Sequence, residues 1–143
     1  MHYPNITAGT FLSRPNRFIA QVEIAGKEET CHVKNTGRCR ELLVPGAAVY
    51  LTASDNPKRK TKYDLVAVEK GSRLINMDSQ APNKVVQEWL EQGGLPGLTK
   101  IQPEFRYDQS RFDFYLEQGD KKSFLEVKGV TLEEDGVVRF PDA

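Results

Sequence analysis

A chain of 143 residues with 38% hydrophobic and 28% charged side chains has the size of one ordinary domain or two small ones, and buries roughly two thirds of its unfolded surface. Its apolar runs are only a few residues long, against the roughly 20 that a membrane helix needs, and no secretory leader opens it, so a cytoplasmic protein without a membrane partner is expected. The formal net charge of zero hides an asymmetry: residues 1–70 hold 11 Lys and Arg against 7 Asp and Glu, and residues 71–143 hold 9 against 13. The first half is suited to a polyanion and the second has carboxylates to spare.

Residues 11–70 break into short β-rich runs, "RFIAQVEIAG", "KEETCHVKN", "AAVYLTAS" and "YDLVAVEKG", separated by turns rich in Gly, Pro and Asn. Four or five short strands with no helical period predict a small barrel or sandwich, and a five-stranded OB-type barrel of roughly 70 residues fits best. Cys31 and Cys39 lie in this block with only His32 nearby. They make neither a disulfide framework nor a four-ligand zinc set, so both are expected to be reduced thiols.

The segment "APNKVVQEWLEQGG" changes period. Val85, Val86, Trp89 and Leu90 fall on one helical face, with Asn83 as the N-cap and Gly93 or Gly94 as the stop. Three strand-like runs follow, "KIQPEFRYD", "SRFDFYLE" and "KSFLEVKGVTLEE". An all-β block, a helix and three strands together predict an α+β chain of two small domains with a boundary near residues 70–80.

The strongest chemical signal lies in "RFDFYLEQGDKKSFLEVKG". A two-residue turn at Gly119-Asp120 pairs residues whose numbers sum to 239, which sets Asp113 opposite Glu126. In an extended strand Glu126 and Lys128 share a face, away from Leu125 and Val127. Two carboxylates so placed repel, whereas a divalent cation turns them into a chelate: Mg2+ takes oxygen ligands, often one or two carboxylates plus waters and phosphates. Lys128 would then stand beside the metal, where an ammonium orients a water or offsets phosphate charge. A plainer reading is a polar face on an edge hairpin, with Arg111, Glu117, Lys122 and Lys128 in ordinary surface pairs worth little.

The stretches "HVKNTGRCRELLVPGAAVYL", "APNKVVQEWLE", "SRFDFYLE" and "LEVKGVTLEEDGVVRFPDA" resemble the sugar fermentation stimulation protein family over nearly the whole chain. The resemblance implies an OB-type barrel over residues 1–75, binding nucleic acid, and a nuclease-like domain of the PD-(D/E)XK type over residues 76–143. It implies a DNA-binding protein and a regulator of sugar use such as maltose metabolism. Carried over, the motif falls on Asp113 and on Glu126, Val127 and Lys128. The two carboxylates and a backbone carbonyl, that of Val127, would hold Mg2+ or Mn2+ while the lysine positions a water. Glu104 on the preceding strand, or Glu88 on the helix, is a candidate further acid. The sequence departs from the family in stopping at Ala143, where members continue through further helix and strand, so the second domain is expected to be incomplete.

The positive excess of the first half comes from Arg14 and Arg17 in "SRPNRF", Lys34, Arg38 and Arg40 in "KNTGRCR", and Lys58, Arg59, Lys60 and Lys62 in "KRKTK". On an OB-type barrel these can line a groove that tracks phosphates, with Phe18 or Tyr50 as stacking platforms, and "NTGR" is a tight turn whose amides suit an anion. Three functions compete: a DNA-binding regulator, an active metal-dependent phosphodiester hydrolase, and an OB-type module for protein or carbohydrate that ignores nucleic acid.

Overall fold

In the computed structural model, which describes residues 1–141, the chain separates into two units. One holds His2–Ser79 and the residues from Val130 on; the other holds Met1 and Gln80–Gly129. Asp142 and Ala143, the end of the "FPDA" match, lie outside the described residues.

Alternating apolar residues build the first unit. Its strands are β1 (Ile6–Ser13), β2 (Ile19–Ile24), β3 (Lys27–Val33), β4 (Ala48–Ala53), β5 (Tyr63–Lys70) and β6 (Arg73–Asn76). They run in the order β3-β2-β1-β4-β5-β6, and a further β3–β5 pairing closes five of them into the expected OB-type barrel. That seam is parallel and short, joining Cys31 to Tyr63, His32 to Asp64 and Val33 to Leu65. Val22, Cys31, Val33, Val49, Leu51 and Leu65, all at most 1% exposed, alternate inward from four strands to fill the barrel, as a period of two demands. β6 lies outside the closed ring as a hairpin partner of β5.

The first strand starts at Ile6, before the block that the pattern marks as β-rich, because it opens among Pro4, Asn5 and Thr7, residues that signal turns or carry little apolar weight. The run "KSFLEVKGVTLEE" is not one strand. It divides into β9 (Lys121–Leu125), an irregular stretch, and β10 (Leu132–Glu134). β10 forms a hairpin with β11 (Val137–Arg139). This hairpin belongs to the barrel unit, where Glu133 meets Arg73 Nε at 3.1 Å and is also bonded by Lys70.

The second unit is α1 (Ala81–Glu91) and the antiparallel sheet β7 (Lys100–Tyr107), β8 (Ser110–Gln118) and β9, in that order. Leu90 is buried with Phe114 and Leu116, and Val86, Ile101, Leu125 and Val127 pack around them. Only part of the predicted helical face is used: Val86 and Leu90, one turn apart, face the sheet, while Val85 and Trp89 are about half exposed. Asn83 is not the cap. Gln80 occupies that position and its side chain does not cap the helix, and Pro82 sits in the first turn, where its missing N–H costs nothing. Gly93, at φ +85°, ends the helix as expected. None of the helices among the described residues is long and apolar enough to cross a membrane.

Candidate nucleic-acid groove and metal site

The turn at Gly119-Asp120 sets the predicted register. Gly119 adopts φ +60°, the left-handed value that the first position of a II′ turn requires, and pairs run from Gln118–Lys121 to Phe114–Leu125, each summing to 239. The next pair would be Asp113 with Glu126, yet the ladder stops at Leu125. Asp113 itself ends it. Its Oδ2 accepts the Val127 N–H at 2.7 Å, and its Oδ1 accepts Asn83 Nδ2 at 2.9 Å. A carboxylate that takes a backbone amide in place of a strand carbonyl draws the chain out of extended pairing, so Glu126 is not Asp113's cross-strand neighbour.

The alternation breaks on β7 as well. Register sets Ile101 against Leu116, Pro103 against Phe114 and Phe105 against Phe112, leaving Glu104 and Asp113 facing each other without a pair. Glu104 has φ +53°, and such a residue reverses the facing of its successors along the strand. Phe105 accordingly turns away from the helix side, stacking on Tyr115 at 4.6 Å. Phe112 and Phe124 stack at 4.2 Å in the same aromatic cluster. Asp113, at the kink, reaches Asn83 on α1 instead.

Glu126 and Lys128 stay together, with Nζ 3.6 Å from Glu126 Oε1, both about half exposed. Of the two further acids, Glu104 is exposed and Glu88 holds the Met1 ammonium at 2.5 Å. Among the described residues no three His, Cys, Asp or Glu gather as a metal cluster. Asp113 uses two of the four lone-pair directions of its carboxylate on its bonds to Val127 and Asn83. Its remaining lone pairs and the half-exposed carboxylate of Glu126 are oxygen donors of the kind a hard divalent cation takes.

The barrel unit carries the cationic feature. The β1–β2 loop (residues 14–18) and the β3–β4 loop (residues 34–47) flank a groove of about 680 Å³ whose lining includes Arg17, Arg38 and Arg40. All three are exposed. Arg14 also reaches this groove, yet its guanidinium is engaged by backbone: Nη1 donates to Gly37 O and Arg38 O at 2.6 and 2.7 Å, and Nη2 to Arg17 O and Asn35 O at 2.7 and 2.6 Å. One planar fork therefore fastens the two loops together. Partial burial lowers Arg14's pKa from its ordinary value, but an arginine stays charged throughout the physiological range.

Two asparagines complete the loops, and composition did not single them out. Asn16 Oδ1 accepts the Phe18 and Ile19 N–H groups at 2.9 and 3.0 Å, and Asn35 Oδ1 accepts Gly37 N–H at 2.8 Å. The signal for both was the Asx residue itself between two strands, since such side chains bond backbone two residues on.

Other cations of this half are also engaged. Lys34 Nζ lies 3.5 Å from the buried carboxylate of Asp78. Arg59 grips Asp64 with two bonds of 2.5 and 3.1 Å, and Lys62 sits 5.4 Å over the Tyr63 ring. Lys58, Lys60 and Lys62 belong to the β4–β5 loop, where all three are exposed. Tyr50 gives its hydroxyl to Glu69, and that carboxylate raises its pKa from the ordinary value. Phe18 stands 52% exposed next to Arg17. The thiol of Cys31, in the barrel core, is pushed up to about 12 by burial, as fits an inert structural cysteine.

Comparison with known proteins also divides the chain near Ser79, although the second match runs on past Val130. Residues 12–77 match the family described as "SfsA N-terminal OB domain", and residues 80–143 match "Sugar fermentation stimulation protein RE domain". A "Sugar fermentation stimulation protein homolog" of Desulfitobacterium hafniense (strain DSM 10664 / DCB-2) is 67% identical over the whole of this chain and 63% of its own length. One from Ruminiclostridium cellulolyticum is 64% identical over the whole chain and 64% of its length. This chain thus spans less than two thirds of the curated relatives it matches. A solved structure described as that of Pyrococcus furiosus SfsA in complex with Ca2+ superposes with a TM-score of 0.84 at 30% identity, covering 99% of this chain and 62% of that one. The chain belongs to the sugar fermentation stimulation protein family.

Proposed function

We propose that this chain binds DNA through its barrel. The observation that carries the reading is the arginine-lined groove between the β1–β2 and β3–β4 loops, with the basic β4–β5 loop on the same barrel. OB-type barrels take oligonucleotides on the strand 2–3 face and the loops after strands 1 and 4. Arg17, Arg38 and Arg40 supply phosphate contacts, Lys58, Lys60 and Lys62 add attraction, and Arg14 holds the loops in place. The family resemblance adds the role of a regulator of sugar use, maltose included.

Fluorescence anisotropy with labelled DNA across a salt series tests this reading. Affinity should fall steeply as salt rises, and Arg38→Ala with Arg40→Ala should flatten the log–log slope by about 1.4 to 1.8, the share of two released phosphate contacts. A flat salt response, or an unchanged slope in the double variant, overturns it and leaves a protein- or carbohydrate-binding module.

A second reading concerns the other unit. Asp113 and Glu126, with the Val127 carbonyl, would hold a divalent cation there, and the Ca2+ of the Pyrococcus furiosus structure supports a hard cation in this family. A bound cation of that kind supplies electrostatic stabilisation of a phosphoryl oxygen and an acidified water. Lys128, kept near Glu126, would orient that water or offset phosphate charge, which is the chemistry of a phosphodiester hydrolase. Calorimetry with Mn2+ should show binding that Asp113→Asn or Glu126→Gln abolishes; equal binding by both variants would place the cation elsewhere.

A further inference from the structure

The geometry points to single-stranded nucleic acid as the occupant of the arginine groove, with one base stacked on Phe18; this rests on the proposal that the barrel binds DNA. Phe18 is the aromatic residue of the β1–β2 loop, and half of its surface meets solvent beside the exposed cation Arg17. A lone exposed phenylalanine is ordinary; the anchoring of this one is not. Its N–H is held by Asn16 Oδ1 at 2.9 Å, and its carbonyl accepts the Val33 N–H at 2.8 Å. The loop that carries it is fastened to the facing loop by three carbonyl bonds of Arg14, and a fourth, to Arg17 O, braces the loop itself.

The ring is therefore presented by a backbone fixed on both sides, on the loop that brings Arg17 to the groove lined by Arg38 and Arg40. Phe18 is not itself part of the groove lining, but it follows Arg17, which is; single strands are bound where phosphates follow a cationic track while an unstacked base lies on a neighbouring aromatic ring. In a duplex every base face is already covered by its neighbours, so Phe18 would have nothing to stack on. The concave groove, flanked by two loops, also suits one flexible backbone better than a stiff double helix.

Anisotropy with a fluorescein-labelled oligothymidine of about 12 nucleotides, within the site size of one OB-type barrel, is compared with a duplex of the same length. The single strand should bind at least tenfold tighter. Phe18→Ala should lower its affinity about tenfold, the effect of one lost stacked base, and leave duplex binding and the salt slope unchanged, whereas Phe18→Trp should restore it. Circular dichroism melts of both variants check that the barrel is intact. Equal binding of the two forms, or a Phe18→Ala variant that matches the parent on the single strand, overturns this inference while leaving the groove as a general DNA site. Absence of binding to either form removes both readings.

Discussion

Replacing Asp113 with alanine removes the acceptor for two donors, the Val127 amide and the Asn83 side chain. Hydrogen bonds to a charged partner contribute about 1.5–3 kcal/mol each, and leaving a partly buried donor unpaired costs about 1–3 kcal/mol. Asn83 can turn its amide toward water, so most of the loss falls on Val127, and the variant should be destabilised by about 2 kcal/mol. Asparagine at the same position behaves differently. Its carbonyl can still accept from Val127, and if both amides rotate its NH2 can donate to the Asn83 carbonyl, so Asp113→Asn should lose less than about 1 kcal/mol. Trp89, the one tryptophan of the chain, lies on α1 in the same unit, so its fluorescence during urea unfolding reports on this unit alone. With a slope of about 1 kcal/mol per molar urea for so small a unit, the alanine variant should unfold about 2 M earlier and the asparagine variant less than about 1 M earlier. An alanine variant with the parent's midpoint would refute a structural role for the carboxylate. If the expected order is found, Asp113→Asn is the folded variant in which loss of Mn2+ binding can be read without loss of structure.

Three other outcomes are expected. Arg14→Gln should destabilise the barrel by about 1–2 kcal/mol in thermal melts, the low end for charged hydrogen bonds because three of its four are solvent-exposed; it should weaken DNA binding without changing the salt slope, since Arg14 touches carbonyls and not phosphate. The Cys31 thiol stays protonated in the folded barrel to about pH 12 while an unfolded thiol ionises near 9.0, so its contribution to stability is complete below pH 9 and is lost as pH rises from 9 toward 12. Denaturation of the parent against Cys31→Ala should show this extra alkaline slope in the parent alone. A methyl group at Gly94 would come within 2.1 Å of the Trp89 ring, so Gly94→Ala should expel the indole and shift its emission to the red, with a parent-like spectrum refuting that packing.

The barrel was legible because its information is local. Alternation marked most strands, Gly-rich turns marked their ends, and the Gly119-Asp120 pair placed the β8–β9 register correctly to Leu125. What failed one residue later was the assumption that the strand goes on. Alternation describes backbone paired with backbone, and at Asp113 a side chain takes the amide instead. Nothing in "FLEVKG" discloses that competition, because the competitor lies 14 residues away. Arg14 is a similar case: composition ranks it with the other cations, while its bonds to four carbonyls depend on the β2–β3 ladder, which sets Ile19 against His32 and so brings the two loops together. Short-range pattern thus located the chemistry-bearing residues, and long-range geometry divided them into those that build the groove and those that face solvent.

Barrel closure itself rests on three parallel residue pairs between β3 and β5, a pairing mode slightly weaker per residue than the antiparallel ladders around it. This seam is therefore where the ring should breathe first. Opening it would uncover two strand edges at once, each able to template pairing with a second chain. Amide exchange at His32, whose backbone faces β5 while the Val33 N–H is held by Phe18 O, should outpace that of β1 and β4, and any tendency of the protein to self-associate on mild warming would begin along the same line.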